Sequence, residues 1–150
     1  MCGLLATSAK RNAPLYEVRK VQQVEYICNR LMATRGKARI ETIASELGIN
    51  ERQTTRIMQE VVGISGKLFG QDQRFTYCWQ LLAQIAAAAP KGSVIAAEQI
   101  HFALFQAGYY DQSHAIREFK QFAGSTPHQF LRDRDHSITV EAAADYYAQI

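Results

Sequence analysis

Residues Gly108–Phe130 read Gly-Tyr-Tyr-Asp-Gln-Ser-His-Ala-Ile-Arg-Glu-Phe-Lys-Gln-Phe-Ala-Gly-Ser-Thr-Pro-His-Gln-Phe. The first glycine closes one helix and permits a sharp turn with positive φ. Asp111 can cap a new helix by accepting hydrogen bonds from its first free N–H groups. Gly124 ends that helix, and Thr126 and Pro127 supply the cap and the first-turn proline of the next. The stretch therefore predicts three helices, with a glycine turn before the middle one.

The middle helix has an apolar back and a polar front. Three apolar residues share one face at spacings of four and three: Ala115, Phe119 and Phe122. Three polar or basic residues share another: Ser113, Arg117 and Lys120. A helix-turn-helix presents its second helix to the DNA major groove in this way. A helical hairpin without any nucleic-acid function has the same alternation, so the pattern alone leaves both interpretations open.

The first half of the chain repeats this pattern. Arg39–Leu47 predicts a short helix, Gly48 a turn, and Glu51–Val62 a second helix. The two turn glycines are 60 residues apart, and the pairs beyond them are 61 apart because one residue is inserted in the second turn. Those pairs are Arg56 and Arg117, Met58 and Phe119, Gly63 and Gly124, Ser65 and Thr126, and Phe69 and Phe130. Two copies indicate duplication of a binding unit.

Longer apolar patterns precede and connect the two halves. Residues 17–33 predict an amphipathic helix, and a helix from Gly66 or Lys67 to Ala89 connects the halves. The connecting helix would be roughly 30 Å long, close to the ~34 Å between successive major-groove faces of B-DNA. The remaining predicted helices are Ile95–Ala107 and Pro127 to about Arg134. The predicted inward residues are Val21, Val24, Ile27, Cys28, Leu31 and Met32 in the first helix, and Thr54, Met58 and Val61 in Glu51–Val62, with Ile57 and Val62 at the edges.

These elements predict an all-α fold of two helix-turn-helix, homeodomain-like units joined by a long connecting helix. Residues 1–15 form a tail or linker remnant, and residues 16–89 hold the first unit and the connecting helix. Residues 90–136 hold the second unit, and residues 137–150 form a C-terminal tail. Composition fits a globular protein, since 47 % of the residues are hydrophobic.

The charge is modest in total but unevenly distributed. The formal net charge is +3, yet residues 10–39 hold eight lysines and arginines against two acids, and residues 131–150 hold two against four. A basic front half and an acidic tail fit a surface that faces a polyanion. A solvated helix face is the alternative for any single one of these charges.

Other classes of protein find no support in the sequence. The three cysteines are scattered, and the four histidines form no pair at metal-ligand spacing, so we expect no metal and no other cofactor. Nucleophile and phosphate-loop motifs are absent, so we expect no catalytic residue and no enzyme. No apolar run reaches the roughly 18 residues of a membrane span. Residues 1–9 lack the basic start of a signal peptide, which favours the cytoplasm and a reducing environment.

The residues also resemble a known family. Gly-Tyr-Tyr-Asp-Gln-Ser-His, Arg-Glu-Phe-Lys and Gly-Ser-Thr-Pro within Gly108–Phe130 resemble the signature of the AraC/XylS-type transcription regulators. Ala-Ser-Glu-Leu-Gly-Ile-Asn-Glu-Arg-Gln-Thr-Thr-Arg at 44–56 resembles their first helix-turn-helix, and Val-Gly-Ile-Ser-Gly-Lys at 62–67 with Arg74-Phe75 resembles the segment that comes next in the family. The resemblance implies a bacterial, nucleoid-associated regulator, usually an activator. Its partners would be double-stranded DNA and, for an activator, RNA polymerase.

The resemblance also implies the contact residues. Base contacts are expected from the first recognition helix at Arg52, Thr55 and Arg56, and from the second at Gln112, Ser113 and Arg117. Arginine can bond guanine bidentately and glutamine can bond adenine, which agrees with these positions. Phosphate contacts are expected at Gln53, Lys67, Arg74 and Lys120. The alternatives are salt bridges, from Arg56 to Glu60, from Arg117 to Glu118, and within a structural ion pair for Arg74.

Two positions depart from the family pattern, which has a small residue four before each turn glycine and a large apolar residue facing it. The first unit has Ala44 and Thr54 there, and the second has Leu104 and Ala115. We hypothesise that Leu104 fills the volume that Ala115 leaves. The hydroxyl of Thr54 either bonds a carbonyl one turn back or leaves the first unit less rigid.

We therefore expect a sequence-specific regulator that inserts two recognition helices into adjacent major-groove segments. It would bind DNA as a monomer unless an upstream dimerisation domain belongs to a longer protein. The alternative is a helical protein-interaction module that kept the fold and lost specific DNA binding. The modest charge, Ile116 on the outer face, and the departures at Leu104 and Ala115 favour that alternative.

Overall fold

The structure is a computed structural model that describes residues 14–90 and 95–132. These residues form seven α-helices and no β-strand, which confirms the all-α class. The helices are α1 Leu15–Ala33, α2 Ile40–Glu46, α3 Glu51–Val62, α4 Gly66–Ala88, α5 Ala97–Gln106, α6 Gln112–Ala123 and α7 Pro127–Arg132. We call α1–α3 the first unit and α5–α7 the second unit. The predicted C-terminal tail, residues 137–150, lies outside the described residues, as does all of the N-terminal tail except its last two positions.

The internal repeat is visible in the helix ends. Helices α3 and α6 have 12 residues each. The side chain of Asn50 accepts a hydrogen bond from the amide of Gln53 at 2.8 Å, and Asp111, 61 residues later, accepts one from the amide of Ser113 at 2.9 Å. Both helices end at a glycine with positive φ, at 91° for Gly63 and 72° for Gly124. Equivalent residues therefore begin and end equivalent helices.

The next helix of each copy is also started by an equivalent residue. Ser65 Oγ accepts a hydrogen bond from the amide of Leu68 at 3.2 Å and so caps α4. Thr126 Oγ1 accepts one from the amide of Gln129 at 3.2 Å, and the Gln129 side chain accepts one from the amide of Thr126 at 2.9 Å. This reciprocal pair is a capping box at the start of α7.

Each unit has its own apolar core, and α4 contributes to both. Phe69, near the start of α4, packs on the first core, whereas Cys78 and Leu82, further along, belong to the second. The first core consists of Val24, Ile27, Leu31, Ile43, Ile57 and Met58. The second consists of Cys78, Leu82, Ile100, Ala103, Leu104, Ala107, Tyr109, Ala115, Phe119, Phe130 and Leu131. The connecting helix is therefore packed along its length.

Three residues predicted to face inward are exposed. Val21, Met32 and Val61 have 44, 43 and 41 % of their surface exposed. In α1 the covered stripe is narrow and follows the spacing of Val24, Ile27 and Leu31, so the neighbouring apolar positions face out. Val61 lies in the last turn of α3, and the centre of that buried face contains Ile57, which was predicted at its edge.

The two departures from the family pattern have local explanations. The hydroxyl of the buried Thr54 donates to the carbonyl of Asn50 at 3.1 Å, one turn back, which confirms the first of the two alternatives. Leu104 and Ala115 are both buried in the second core, as the proposed exchange of side-chain size requires. The second turn, which is one residue longer, has a buried Tyr109 beside an exposed Tyr110.

Candidate nucleic-acid interface

The front of α3 carries all the predicted contact residues of that helix on one surface. Six polar side chains line a shallow depression there: Asn50, Arg52, Gln53, Thr55, Arg56 and Gln59. Arg52, Thr55 and Arg56 are exposed and Gln53 is half-buried. The cap residue Asn50 places the first turn of α3, with its free N–H groups, at the edge of this surface. The arrangement offers donors to an acceptor-rich partner.

A shared carboxylate holds Arg56 weakly. Its Nε lies 3.8 Å from Glu60 Oε1, which is the predicted alternative contact, but the Arg56 side chain remains 60 % exposed. The other oxygen of Glu60 accepts a hydrogen bond from Lys20 Nζ at 3.2 Å, and Lys20 also lies 2.8 Å from Glu17. The hydrogen bond to Glu17 and the second one to Glu60 raise the pKa of Lys20. The exposed ion pair between Arg56 and Glu60 contributes little to stability, so Arg56 can leave Glu60 for another acceptor.

The front of α6 is also exposed at every predicted position, namely Gln112, Ser113, Arg117 and Lys120. The Nε of Arg117 donates to the carbonyl of Ser113 at 3.3 Å, so the side chain lies along its own helix. The predicted alternative of a salt bridge to Glu118 is wrong, because Glu118 lies on the buried side of α6 and bonds other groups. Ile116, predicted on the outer face, is half-buried.

Glu118 is the centre of a buried polar network that the sequence did not reveal. Its side chain is 2 % exposed. It accepts hydrogen bonds from the Tyr109 hydroxyl at 2.7 Å and from Gln71 Nε2 at 3.3 Å, and His114 Nε2 lies 3.5 Å away. Burial and the bond to Glu118 raise the pKa of Tyr109, so this phenol stays protonated and donates. A buried carboxylate with several donors is a satisfied structural group.

Arg74 joins this network and occupies a different place from the one predicted. Its NH2 donates to the carbonyl of Gly36 at 3.0 Å, its NH1 lies 3.9 Å from Glu118, and its guanidinium lies 5.4 Å from the Tyr109 ring centre. The side chain is 22 % exposed and lies between the two units. The alternative, a structural ion pair, is therefore the arrangement observed, and we do not propose Arg74 as a phosphate contact. Lys67 is exposed in the first turn of α4. A phosphate contact stays a prediction for Lys67, Gln53 and Lys120.

The turn between α1 and α2 also reaches across to the second unit and to α4. Lys37 Nζ donates to the carbonyl of Gln106, at the end of α5, at 2.8 Å. A cation near a helix C-terminus is favourable because the free carbonyls carry partial negative charge. The Arg35 guanidinium lies 3.8 Å from the centre of the Tyr77 ring. These contacts fix the first unit against α4 and the second unit.

One signal in the sequence could have located this contact between the units, and a second pair of residues could not. Gly66 and Gly70 are four residues apart, so they share one face of α4 where another chain segment can approach closely. Tyr109 stands next to the turn glycine with a carboxylate nine residues later, but the sequence does not show that both are buried. The bond between them depends on how α5, α6 and α4 pack, which no local pattern encodes.

The described residues contain no cluster of three histidine, cysteine, aspartate or glutamate side chains placed to hold a metal ion. No helix among them is both long and apolar enough to cross a bilayer. No family model, curated protein or solved structure matches the chain. The resemblance to AraC/XylS-type regulators thus remains an interpretation of the residues quoted above.

Proposed function

We propose that this protein is a sequence-specific, double-stranded DNA-binding transcription regulator of AraC type, with α3 and α6 as its recognition helices. The observation that carries the proposal is the pair of equivalent 12-residue helices, each with an exposed arginine at the matched position, Arg56 and Arg117. Arginine bonds the O6 and N7 of guanine bidentately, which is the commonest specific contact to a base. An activator of this kind would also contact RNA polymerase.

The connecting helix supports binding by one chain to two groove segments. A helix of 23 residues is roughly 34 Å long at 1.5 Å per residue. One turn of B-DNA is about 34–36 Å, so the length of this helix is compatible with two units on adjacent major-groove segments. A single chain would then read an asymmetric site with two different half-elements. The fronts of α3 and α6 differ in sequence, which favours unlike half-elements.

Selection from a random duplex pool at ~150 mM salt, followed by sequencing, tests the proposal. The expected result is a bipartite motif with centres about 10 base pairs apart. Retention without any motif, disappearing as salt rises, would show phosphate attraction alone and would overturn the proposal. Arg56→Ala with Arg117→Ala should remove the motif. Arg19→Ala with Arg39→Ala removes the same charge from outside α3 and α6, so it should lower the affinity for all duplexes alike and keep the motif.

One observation favours a second candidate, the protein-interaction module. The second unit exposes three large aromatic side chains: Phe102, Phe105 and Tyr110. Phe102 also lines an apolar groove between α4 and α5 together with Leu81 and Ile85. Replacing Arg56 and Arg117 by alanine separates the two functions. It should abolish specific DNA binding and spare the binding of a protein partner. Phe102→Ser with Phe105→Ser should spare specific DNA binding and abolish the binding of that partner.

A further inference from the structure

Arg74 contacts both units, the first through a hydrogen bond and the second through an ion pair. It lies on α4, and its two terminal nitrogens contact different units. NH2 donates to the carbonyl of Gly36 in the first unit at 3.0 Å, and NH1 lies 3.9 Å from Oε2 of Glu118 in the second. The planar guanidinium holds these two donors in a fixed geometry, which an ammonium group would not. Arg74 therefore ties the α1–α2 turn to α6.

Glu118 transmits this connection to the DNA-facing side of α6. It follows Arg117 directly, so the two side chains leave the helix about 100° apart. Glu118 is also held by the Tyr109 hydroxyl at 2.7 Å and by Gln71 of α4 at 3.3 Å. A carboxylate held from three sides fixes the rotation of α6 about its own axis. The direction in which Arg117 projects is fixed with it.

The first unit is also held closely to α4 and the second unit through the turn between α1 and α2. The backbone of Gly36 lies against Gly70 of α4, with no room for a side chain on Gly36. Lys37 extends from the same turn to the carbonyl of Gln106 at the end of α5. The turn thus contacts α4 by its backbone and the second unit by a side chain. Movement of one unit against the other would break these bonds.

We propose that Arg74 and Glu118 form a clamp that fixes the orientation of α6 relative to the first unit, and that this clamp determines which spacing of half-elements the protein accepts. The inference rests on the proposed DNA-binding function. Inserting one base pair moves a half-element by about 3.4 Å and rotates it by about 35° around the duplex. A clamped protein cannot follow such a change with both helices. An unclamped one can.

A series of duplexes with one or two base pairs added or removed between the half-elements tests the clamp. The wild-type protein should lose about tenfold or more in affinity at each altered spacing, as for the loss of a base contact. Arg74→Met removes the hydrogen bond to Gly36 and the ion pair with Glu118 but keeps most of the side-chain stem, so it should lose less than about threefold in affinity at each altered spacing. Glu118→Gln should also lose less affinity there than the wild type. General loss of stability would lower binding to all duplexes alike and leave the spacing profile unchanged. Profiles equal to that of the wild type in both variants would overturn the proposal.

Arg30→Met is the matched control. It removes the same charge and also breaks an ion pair, that of Arg30 NH2 with Glu46 Oε1 at 2.7 Å, but this pair lies wholly within the first unit. Its spacing profile should equal that of the wild type. If Arg30→Met tolerates altered spacing to the same degree as Arg74→Met, Arg74 has no specific role.

A measurement without DNA separates the clamp from the proposed function. Spin labels on cysteines at the exposed positions Gln59 and Gln121 report the distance between α3 and α6. The labels require Cys2→Ser and Cys28→Ser, and Cys78 can stay because it is buried. The distance distribution should be narrow in the wild type and broad in Arg74→Met, and equal widths would overturn the clamp. If broadening occurs but no duplex of any spacing is bound, the clamp stands and the DNA-binding function fails.

Discussion

The backbone of Gly36, in the turn after α1, lies directly against the backbone of Gly70 in α4. A Cβ atom on Gly36 would overlap the carbonyl oxygen of Gly70, and the φ angle of Gly36 is +71°. Both conditions exclude a side chain here. The contact brings the Gly36 carbonyl within 3.0 Å of Arg74 NH2 and so allows the bond between the first unit and the connecting helix.

Gly36→Ala should therefore destabilise the fold far more than the same change at a glycine with open space around it. Gly48 has a φ of +65° and no atom within 4 Å of an added Cβ, so Gly48→Ala should cost only the strain of a left-handed residue, about 1–2 kcal/mol. Gly36→Ala should cost more than ~3 kcal/mol, because backbone atoms of α4 must also move. Urea denaturation followed by circular dichroism measures both values. Equal costs would contradict the close packing described here.

The second core makes a prediction about side-chain size. Ala115 is completely buried and Leu104 lies in the same cluster, so a larger residue at position 115 has no space. Ala115→Leu should lower the free energy of unfolding by roughly 1–3 kcal/mol. Adding Leu104→Ala should restore most of the loss. If the double variant is no more stable than Ala115→Leu alone, the two residues do not share one volume.

The Cys78 thiol gives a dependence on pH. Burial, with a smaller effect from the charge of Glu118, raises its pKa from 9.0 to about 12. Because the pKa of the thiol is higher in the folded protein, the unfolded chain releases this proton at a lower pH. The free energy of unfolding is therefore fully retained below pH 9 and decreases as the pH rises from there towards 12. The free energy of unfolding should fall less steeply over this range in Cys78→Ala than in the wild type. Parallel curves for the two proteins would contradict the raised pKa.

The residues proposed to contact phosphates should act on affinity without affecting sequence preference. Lys120 is exposed on α6 and Lys67 is exposed at the start of α4. Lys120→Ala should weaken binding to all duplexes by a similar factor and reduce the slope of log affinity against log salt by about 1. Titration of one specific and one unrelated duplex at several salt concentrations measures this. A change confined to the specific duplex would make Lys120 a base-reading residue.

The helices were largely predictable because their ends are local. Asn50, Asp111, Gly63 and Gly124 act on the amides and carbonyls of their own helix, so their effect is visible in a few residues of sequence. The internal repeat, with equivalent residues 61 positions apart, predicted the same helix ends a second time. For these reasons the bounds predicted for α3 agree with those observed, and the predicted cap and end of α6 are where the structure has them.

The junction between the units was not predictable in the same way. Arg74 carries a charge that suits either a phosphate or a carboxylate, and only the packing of α4 against α1 and α6 decides which is near. Glu118 is charged and directly follows the exposed Arg117, yet its side chain faces inward. Val61 shows the opposite error, because its place on the apolar face of α3 does not tell whether another layer covers it. Burial across elements is a property of the assembled core.

In the proposed complex, α3 and α6 each read their own half of one site. Duplex selection repeated with Arg56→Ala and with Arg117→Ala, each compared with the wild-type motif, tests this division of the site. We expect Arg56→Ala to relax base preference in one half-element and Arg117→Ala to relax it in the other, each at a cost of about 1–3 kcal/mol. Relaxation of the same half-element by both variants, or an unchanged motif in both, would contradict the account.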